Sequence, residues 1–465
     1  MRTAHILLAS LLFAACSSGK GGNSSGSPDS SDTGTYGANV NCGDPGEAGC
    51  AGSGCADSSE CATGVCIAGV CQPATSSDGV KNGDETDIDC GGEHAQPCGD
   101  GKACLKGADC ASKVCAGNVC RLATGTDGVQ NGDESDVDCG GTTTGAPKCA
   151  VGKTCNVHAD CQSDGCAYDN KCAVGRSCTQ QLGGDTCGPG DIGNPDAAHE
   201  SCCERRSISG STVQIDKYLV TAGRMRAFIE RLNGDVVSYV SGLAAANWNQ
   251  SWNTLVPASI DDANMMLGPY WNGTKRSCGV GQFNGHTYYT TPTPDDPGPF
   301  TQADLDPKTL NCVGWHIATA FCQWDGGRLP SAAEIKNIYT NNGVDSWPWG
   351  NQPTYSTTKA DDRVSHRYNY GYPGDTPPLN AKGDVLDSSW YVPPPGRFPL
   401  GNNKNDVADA AGDMLVWVKD STYNFVWTMS WDDHDATTLG ARSWSGMFSG
   451  QPNGYFAIGF RCAHD

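Results

Sequence analysis

An α+β domain behind a row of small disulfide-rich repeats is the fold this sequence predicts. Three observations carry it. The stretch CVGWHIATAFCQWDGGRLPSAAE, residues 312–334, reads as a helix, a tight break and the capped start of a second helix. Ile317, Ala320, Phe321 and Trp324 recur at i, i+3, i+4 and i+7, one apolar helical stripe. Gly326 and Gly327 end that helix, and Ser331 with Glu334 forms an S-x-x-E capping box behind Pro330. The second observation is DAAGDMLVW, 409–417, where Gly412 turns the chain into a strand holding Leu415 and Trp417. The third is a periodic run of cysteines over 42–172.

The chain has 465 residues, net charge −21 and 27 cysteines. Its acidic balance argues against nucleic acid or anionic lipid as a partner. The cysteines, mostly in regular spacing, imply an oxidising compartment. Residues 1–16 agree. Arg2 is a short basic region, and 6–15 is an apolar run too short to span a bilayer. It ends in LFAAC, which resembles a bacterial lipoprotein lipobox with Cys16 as the lipidated residue and Phe13 where leucine is usual. The alternative is ordinary cleavage after Ala15. Setting Cys16 aside leaves an even number of cysteines free to pair. The resemblance implies export and a lipid anchor, and Ser17 suggests the outer membrane or cell surface. Residues 17–41, mostly Ser, Gly, Asn and Asp, cannot bury a core and read as a flexible tether.

Residues 42–172 are an internal repeat. Cysteines fall in three sets of six: 42, 50, 55, 61, 66, 71; 90, 98, 104, 110, 115, 120; and 139, 149, 155, 161, 166, 172. Each set closes on C-x5-C-x4-C-x4-C, the last gap of the third being one residue longer. Few large apolar residues are present, so disulfides stand in for a core. Zinc, the competing use of dense cysteines, is set aside because C-x2-C pairs are absent. Six cysteines allow fifteen connectivities, which spacing does not resolve.

Between sets, SDGVKNGDETDIDCGG (77–92) recurs as TDGVQNGDESDVDCGG (126–141). Asp84, Glu85, Asp87 and Asp89, repeated as Asp133, Glu134, Asp136 and Asp138, are closely spaced hard oxygen donors beside a glycine turn, which suits calcium. A solvated acidic turn is the plain alternative, and the distal glutamate of an EF-hand is missing. These units resemble modules of secreted and surface proteins, particularly myxobacterial ones. That resemblance implies a stalk or interaction role. Residues 173–206 keep Cys178, Cys187, Cys202 and Cys203 but lose the spacing, and read as a disulfide-stapled connector docked on the C-terminal domain.

Residues 207–465 hold all twelve tryptophans but only Cys278, Cys312, Cys322 and Cys462. Here W-x-x-A-x-x-F-C-x-W-x-G-x-R-L-P-S-x-A-E, from Trp315 to Glu334, resembles the signature of the formylglycine-generating (sulfatase-modifying factor) family. IDKYLVTAGRMRAF (215–228), WPWGNQ (347–352) and GFRCAHD (459–465) resemble further pieces of it in order. The resemblance implies a variant of the C-type-lectin fold, with long loops and few short strands and helices. It also implies a disulfide between Cys322 and Cys462, which leaves Cys278 and Cys312 as the second pair.

The family's chemistry is another matter. Its oxidases bind copper through two cysteines between an RGGSW segment and the terminal GFR. This chain has VWTMSW (426–431) in that place and no cysteine from 431 to 461. Soft Cu(I) needs thiolate or similar ligands, so copper chemistry is not expected. The family's DMAGNVWEW is DAAGDMLVW here, with Asp413 for an asparagine and Val416 for a calcium-binding glutamate. That departure puts the family's structural calcium in doubt.

Other candidate sites are few. WDDHD, 431–435, places His434 among carboxylates including Asp432. One local histidine falls short of a two-histidine iron site unless His286, His316 or His366 completes it. An acidic surface loop is the alternative. Trp390, Trp427, Trp431 and Trp444, with Tyr391, Tyr423 and Tyr455, offer stacking faces for sugars or peptides, or else fill the fold. The insertion 353–400 reads as a specificity loop.

Two functions remain. The missing cysteine pair favours a non-catalytic binding head for a carbohydrate or protein ligand, held on a disulfide-rich stalk. The alternative is an enzyme of a cysteine-free branch of the family, resembling periplasmic proteins of siderophore chromophore maturation, with a metal-dependent oxidase among its forms.

Overall fold

The computed structural model describes residues 49–189, 199–268, 287–288, 301–351, 363, 392–420, 424–426, 445–447 and 458–465. The chain divides into two units: 1–111 with 115–121, and 112–114 with 122–465. The third set of cysteines thus groups with the C-terminal domain.

In the first unit, β1 (Cys66–Ile67) pairs antiparallel with β2 (Val70–Cys71), and β3 (Cys115–Ala116) with β4 (Val119–Cys120). Both hairpins turn on two positive-φ residues, Ala68-Gly69 and Gly117-Asn118, the geometry that matches strand twist in a two-residue loop. Of the connectivities open to the sequence, one recurs. In each closing foursome the first cysteine bonds the third and the second bonds the fourth: Cys55–Cys66 with Cys61–Cys71, and Cys104–Cys115 with Cys110–Cys120. In the second unit Cys155–Cys166 and Cys161–Cys172 repeat it. Cys90–Cys98 and Cys139–Cys149 close the loops before them. The buried hydrophobic clusters in these repeats consist of cysteine alone, as expected of a module too small for a carbon core.

The second unit carries the remaining elements: β5 (Arg205–Ser207), β6 (Gln214–Asp216), α1 (Ala222–Arg231), α2 (Val236–Ser241), α3 (Ile260–Leu267), α4 (Gln302–Leu305), α5 (Trp315–Trp324), α6 (Ala332–Thr340), β7 (Leu415–Trp417), β8 (Asn424–Val426), β9 (Ser445–Met447), β10 (Ile458–Gly459) and β11 (Ala463–His464). One sheet has the order β10-β7-β8-β9, with β10 parallel to β7; the other is β11-β6-β5, antiparallel throughout.

The signature stretch folds as its pattern dictates. Helix α5 spans the apolar stripe and breaks at Asp325 and Gly326. Gly327 lets the chain pass close beneath the terminal strand, since a Cβ there would lie 2.5 Å from the Ala463 carbonyl. Helix α6 starts on the capping box: the Ser331 amide donates to Glu334 Oε2 at 2.6 Å, and the Glu334 amide to Ser331 Oγ at 3.2 Å. Helices α1 and α5 meet through Phe228, Phe321 and Trp324, and Phe460 closes the cluster against Phe321 at 5.3 Å. Two indoles lock α5 to β7. Trp315 Nε1 donates to the Val418 carbonyl and Trp417 Nε1 to the Val313 carbonyl, each at 2.8 Å.

Residues 173–189 and 199–206 pack on this core. Cys178–Cys203 and Cys187–Cys202 give the adjacent Cys202 and Cys203 different partners. Arg231 and Arg176 both bind Asp164 of the third repeat, through its carbonyl at 2.6 Å and its carboxylate at 2.8 Å.

Candidate functional site

Two buried charged centres lie behind the signature helix. In the first, Arg224 of α1 and its partners Asp216 and Asp325 are all essentially inaccessible to solvent. Its Nη1 donates to Asp216 Oδ2 at 3.1 Å, Nη2 to Asp325 Oδ2 at 2.9 Å, and Nε to Ser177 Oγ at 2.8 Å. Asp325 Oδ1 takes the Ser177 amide at 2.7 Å, and Asp216 Oδ1 meets His464 Nε2 at 2.9 Å. Burial alone would raise the Asp216 carboxyl, but Arg224 and His464 outweigh it and hold the group at about 2. This centre joins α1, the break after α5, the connector and the terminal strand. Its partners leave no open position for a ligand, and its role is structural.

The second centre is the turn 409–413. Asp409, Gly412 and Asp413 all have positive φ, so the turn aims both carboxylates inward. Asp409 Oδ2 accepts the Gly396 amide at 2.7 Å. Arg461 supplies positive charge while donating to the carbonyls of Asp216, Lys217, Ala408 and Asp409. Burial raises Asp409 to about 6, and burial together with the neighbouring Asp409 raises Asp413 well above the usual carboxylate range. Thr309 Oγ1 lies 2.5 Å from Asp413 Oδ2 and 3.1 Å from the Pro393 carbonyl. A hydroxyl has one proton. Shared between the two acceptors, the Thr309 proton opposes the upward shift of Asp413 without cancelling it.

This turn does not fit the calcium that the family resemblance implies. Val416 sits in strand β7, buried in an apolar cluster with Met414, Val418, Ile335 and Ile338. It offers no oxygen where the family's glutamate stands. The copper chemistry lacks ligands as well. Cys322 and Cys462 are joined across a sequence separation of 140. Cys312 is also disulfide-bonded, so no cysteine thiolate remains in this domain among the described residues.

The acidic residues of the repeats do not converge. Asp84 Oδ2 accepts the Glu93 amide at 2.5 Å, Asp87 Oδ2 the Ala103 amide at 2.6 Å, and Asp89 Oδ1 the Gly79 amide at 2.8 Å. Asp133, Asp136 and Asp138 repeat this with the amides of Thr142, Thr154 and Gly128. Each aspartate thus ties down a different turn. Among the described residues, the groups of three His, Cys, Asp or Glu ligand atoms close enough for one ion consist of cysteines, each already in a disulfide.

His316 is packed among Trp248, Trp252 and Trp315, and burial pulls it down to about 4, so it is neutral at physiological pH. Cys16, Cys278, Asp432, His434, Trp390, Trp427, Trp431 and Trp444 lie outside the described residues. So do His286, His366, Tyr391, Tyr423, Tyr455 and most of 353–400. No described helix is long and apolar enough to cross a membrane. Sequence reasoning missed Arg224, Asp216, Asp325 and Arg461 as buried. The only hint was Arg224 and Arg226 interleaved with apolar residues in the first two turns of the opening helix, AGRMRAFIER.

The family described as Sulfatase-modifying factor enzyme 1-like domain matches residues 188–465. None of the curated protein sequences matches the chain. Among solved structures, PvdO from Pseudomonas aeruginosa is similar at TM-score 0.31 and 15% identity, over 54% of this chain and 80% of that one. CarF is similar at TM-score 0.28 and 12% identity, over 61% and 95% respectively.

Proposed function

From its membership of the sulfatase-modifying factor enzyme 1-like family, we propose that this chain uses the family fold as a binding head without the family's copper chemistry, carried by a disulfide-rich stalk on a lipid-anchored surface protein. The observation that carries the reading is the fate of the cysteines. Every described cysteine of the domain is in a disulfide, and the sequence has none between 431 and 461. Without a thiolate pair, Cu(I) has no soft ligands and oxygen has no site of activation. The second support is the turn 409–417, where an apolar side chain replaces the metal-binding glutamate. The ligand is a carbohydrate or a protein segment, received by the aromatic side chains between 390 and 455. Cys16 anchors the chain, and 17–41 spaces the folded part from the membrane.

The test uses the full-length folded protein with a sulfatase-motif peptide, Cu(I), oxygen and a thiol reductant. The peptide keeps its cysteine thiol. Aldehyde formation above a protein-free control overturns the proposal, as does one equivalent of copper or iron retained through purification.

A further inference from the structure

The second acidic turn of the repeats, 126–141, contains polar atoms that its own hydrogen bonds leave over. Glu134 is 6% exposed and Asn131 is 7% exposed. One carboxylate oxygen of Glu134, Oε2, bridges the amides of Asn131 and Asp138, each at 3.3 Å. That bridge holds the carboxylate inside the loop. Its other oxygen, Oε1, is buried with no hydrogen-bond partner. Asn131 is oriented by its Nδ2, which donates to the Ser112 carbonyl at 2.8 Å and to Asp127 Oδ2 at 3.1 Å. Its Oδ1 is also buried and unpartnered. Thr144 folds over Gly132, so close that a Cβ there would lie 2.5 Å from its methyl, and its hydroxyl is a third buried oxygen without a partner.

Leaving three such groups unsatisfied would cost on the order of 1–3 kcal/mol each, which native folds avoid. All three are oxygens, one belongs to a carboxylate, and Asp127 holds the amide nitrogen of Asn131. The first turn, 77–92, repeats the central feature. Glu85 Oε2 takes the amides of Asn82 and Asp89 at 3.2 and 3.3 Å, and its Oε1 is buried and unpartnered.

We propose that the loop 126–144 binds a calcium ion through Glu134 Oε1, Asn131 Oδ1 and Thr144 Oγ1. The aspartates of these turns hold the loop while the glutamate faces the ion. Calcium fits better than magnesium, because it accepts irregular oxygen sets completed by water. With few protein ligands, the affinity expected is that of extracellular modules, about 10⁻⁴–10⁻³ M.

Equilibrium dialysis of the full-length protein against radioactive calcium tests this on wild type, Glu134→Gln and Thr144→Val. Glutamine keeps the acceptor for the two amides and removes the charge. Glu134→Gln binds one calcium fewer than wild type, and Thr144→Val weakens that site several-fold. Any calcium held elsewhere cancels in the difference. Equal stoichiometry in wild type and Glu134→Gln overturns the proposal. So does a wild type that binds no calcium at millimolar concentration, in which case water alone satisfies the three oxygens. Where Glu134→Gln fails to give a cooperative melt, Thr144→Val decides by the same criterion, and an unchanged affinity overturns it.

Discussion

Replacing Asp413 by asparagine should stabilise this protein, and the gain should grow with pH. Asp413 is 1% exposed, lies beside the buried Asp409, and accepts a hydrogen bond from Thr309 Oγ1. Its folded pKa is raised above the unfolded value of 3.8. Stability from such a group is fully present below the unfolded pKa and is lost as pH rises through the folded one. In that window the folded chain holds one proton more than the unfolded chain, which costs about 1.4 kcal/mol per pH unit. Asparagine keeps an oxygen to accept from Thr309 Oγ1 and takes up no proton. The difference in unfolding free energy between Asp413→Asn and wild type should therefore grow as pH rises above 3.8, at no more than about 1.4 kcal/mol per pH unit. Asp409 is coupled to Asp413, and with asparagine there it ionises more easily, which moves the difference in the same direction. Urea melts of both proteins at half-unit pH steps, followed by tryptophan fluorescence, measure the difference. A pH-independent difference, or a variant less stable than wild type at pH 6 and above, would refute the argument.

Arg224→Met leaves Asp216 and Asp325 buried without their cation and should cost about 3–5 kcal/mol in a chemical melt. At the acid end, Asp216 is depressed to about 2, so its contribution is present above pH 3.8 and lost as pH falls toward 2; acid titration of wild type should show an unfolding limb there that Arg224→Met lacks. Removing Cys322 and Cys462 together frees a loop of sequence separation 140, and chain entropy sets the loss at about 5 kcal/mol as an upper guide. Non-reducing peptide mapping checks the link, and recovery of Cys322 bonded to any other cysteine contradicts it. Cys16→Ala should move the protein from the membrane fraction to the soluble one, and retention in the membrane rules out the lipid anchor.

Features were legible in the sequence to the extent that their signals are local. The stripe Ile317, Ala320, Phe321, Trp324 and the box Ser331–Glu334 are short-range patterns, and both helices form where those patterns lie. The cysteine spacing announced stapled repeats but not their pairing, because pairing is a matter of three-dimensional approach. The centre around Arg224 was illegible for a different reason. Ser177, Asp216, Arg224, Asp325 and His464 are scattered over nearly 300 residues, about three-fifths of the chain, and a charged residue read alone is assigned to solvent. The acidic turns were misleading in detail. Their aspartates look like ligands by composition, and the fold adds that each also holds a backbone amide, which composition does not show.

The strand segment 458–465 has a consequence for how the protein is made. Residues 458–459 extend one sheet beside β7, 463–464 extend the other beside β6, Arg461 gathers four carbonyls between them, and Cys462 reaches back to α5. All of these partners are synthesised first. Until 458–465 has left the ribosome, both sheets lack an edge, the Asp216 carboxylate lacks His464, and Cys322 lacks its thiol partner. The domain therefore closes only when 458–465 joins it, and displacing this one short segment would open both sheets and unpair Asp216 and Cys322 together.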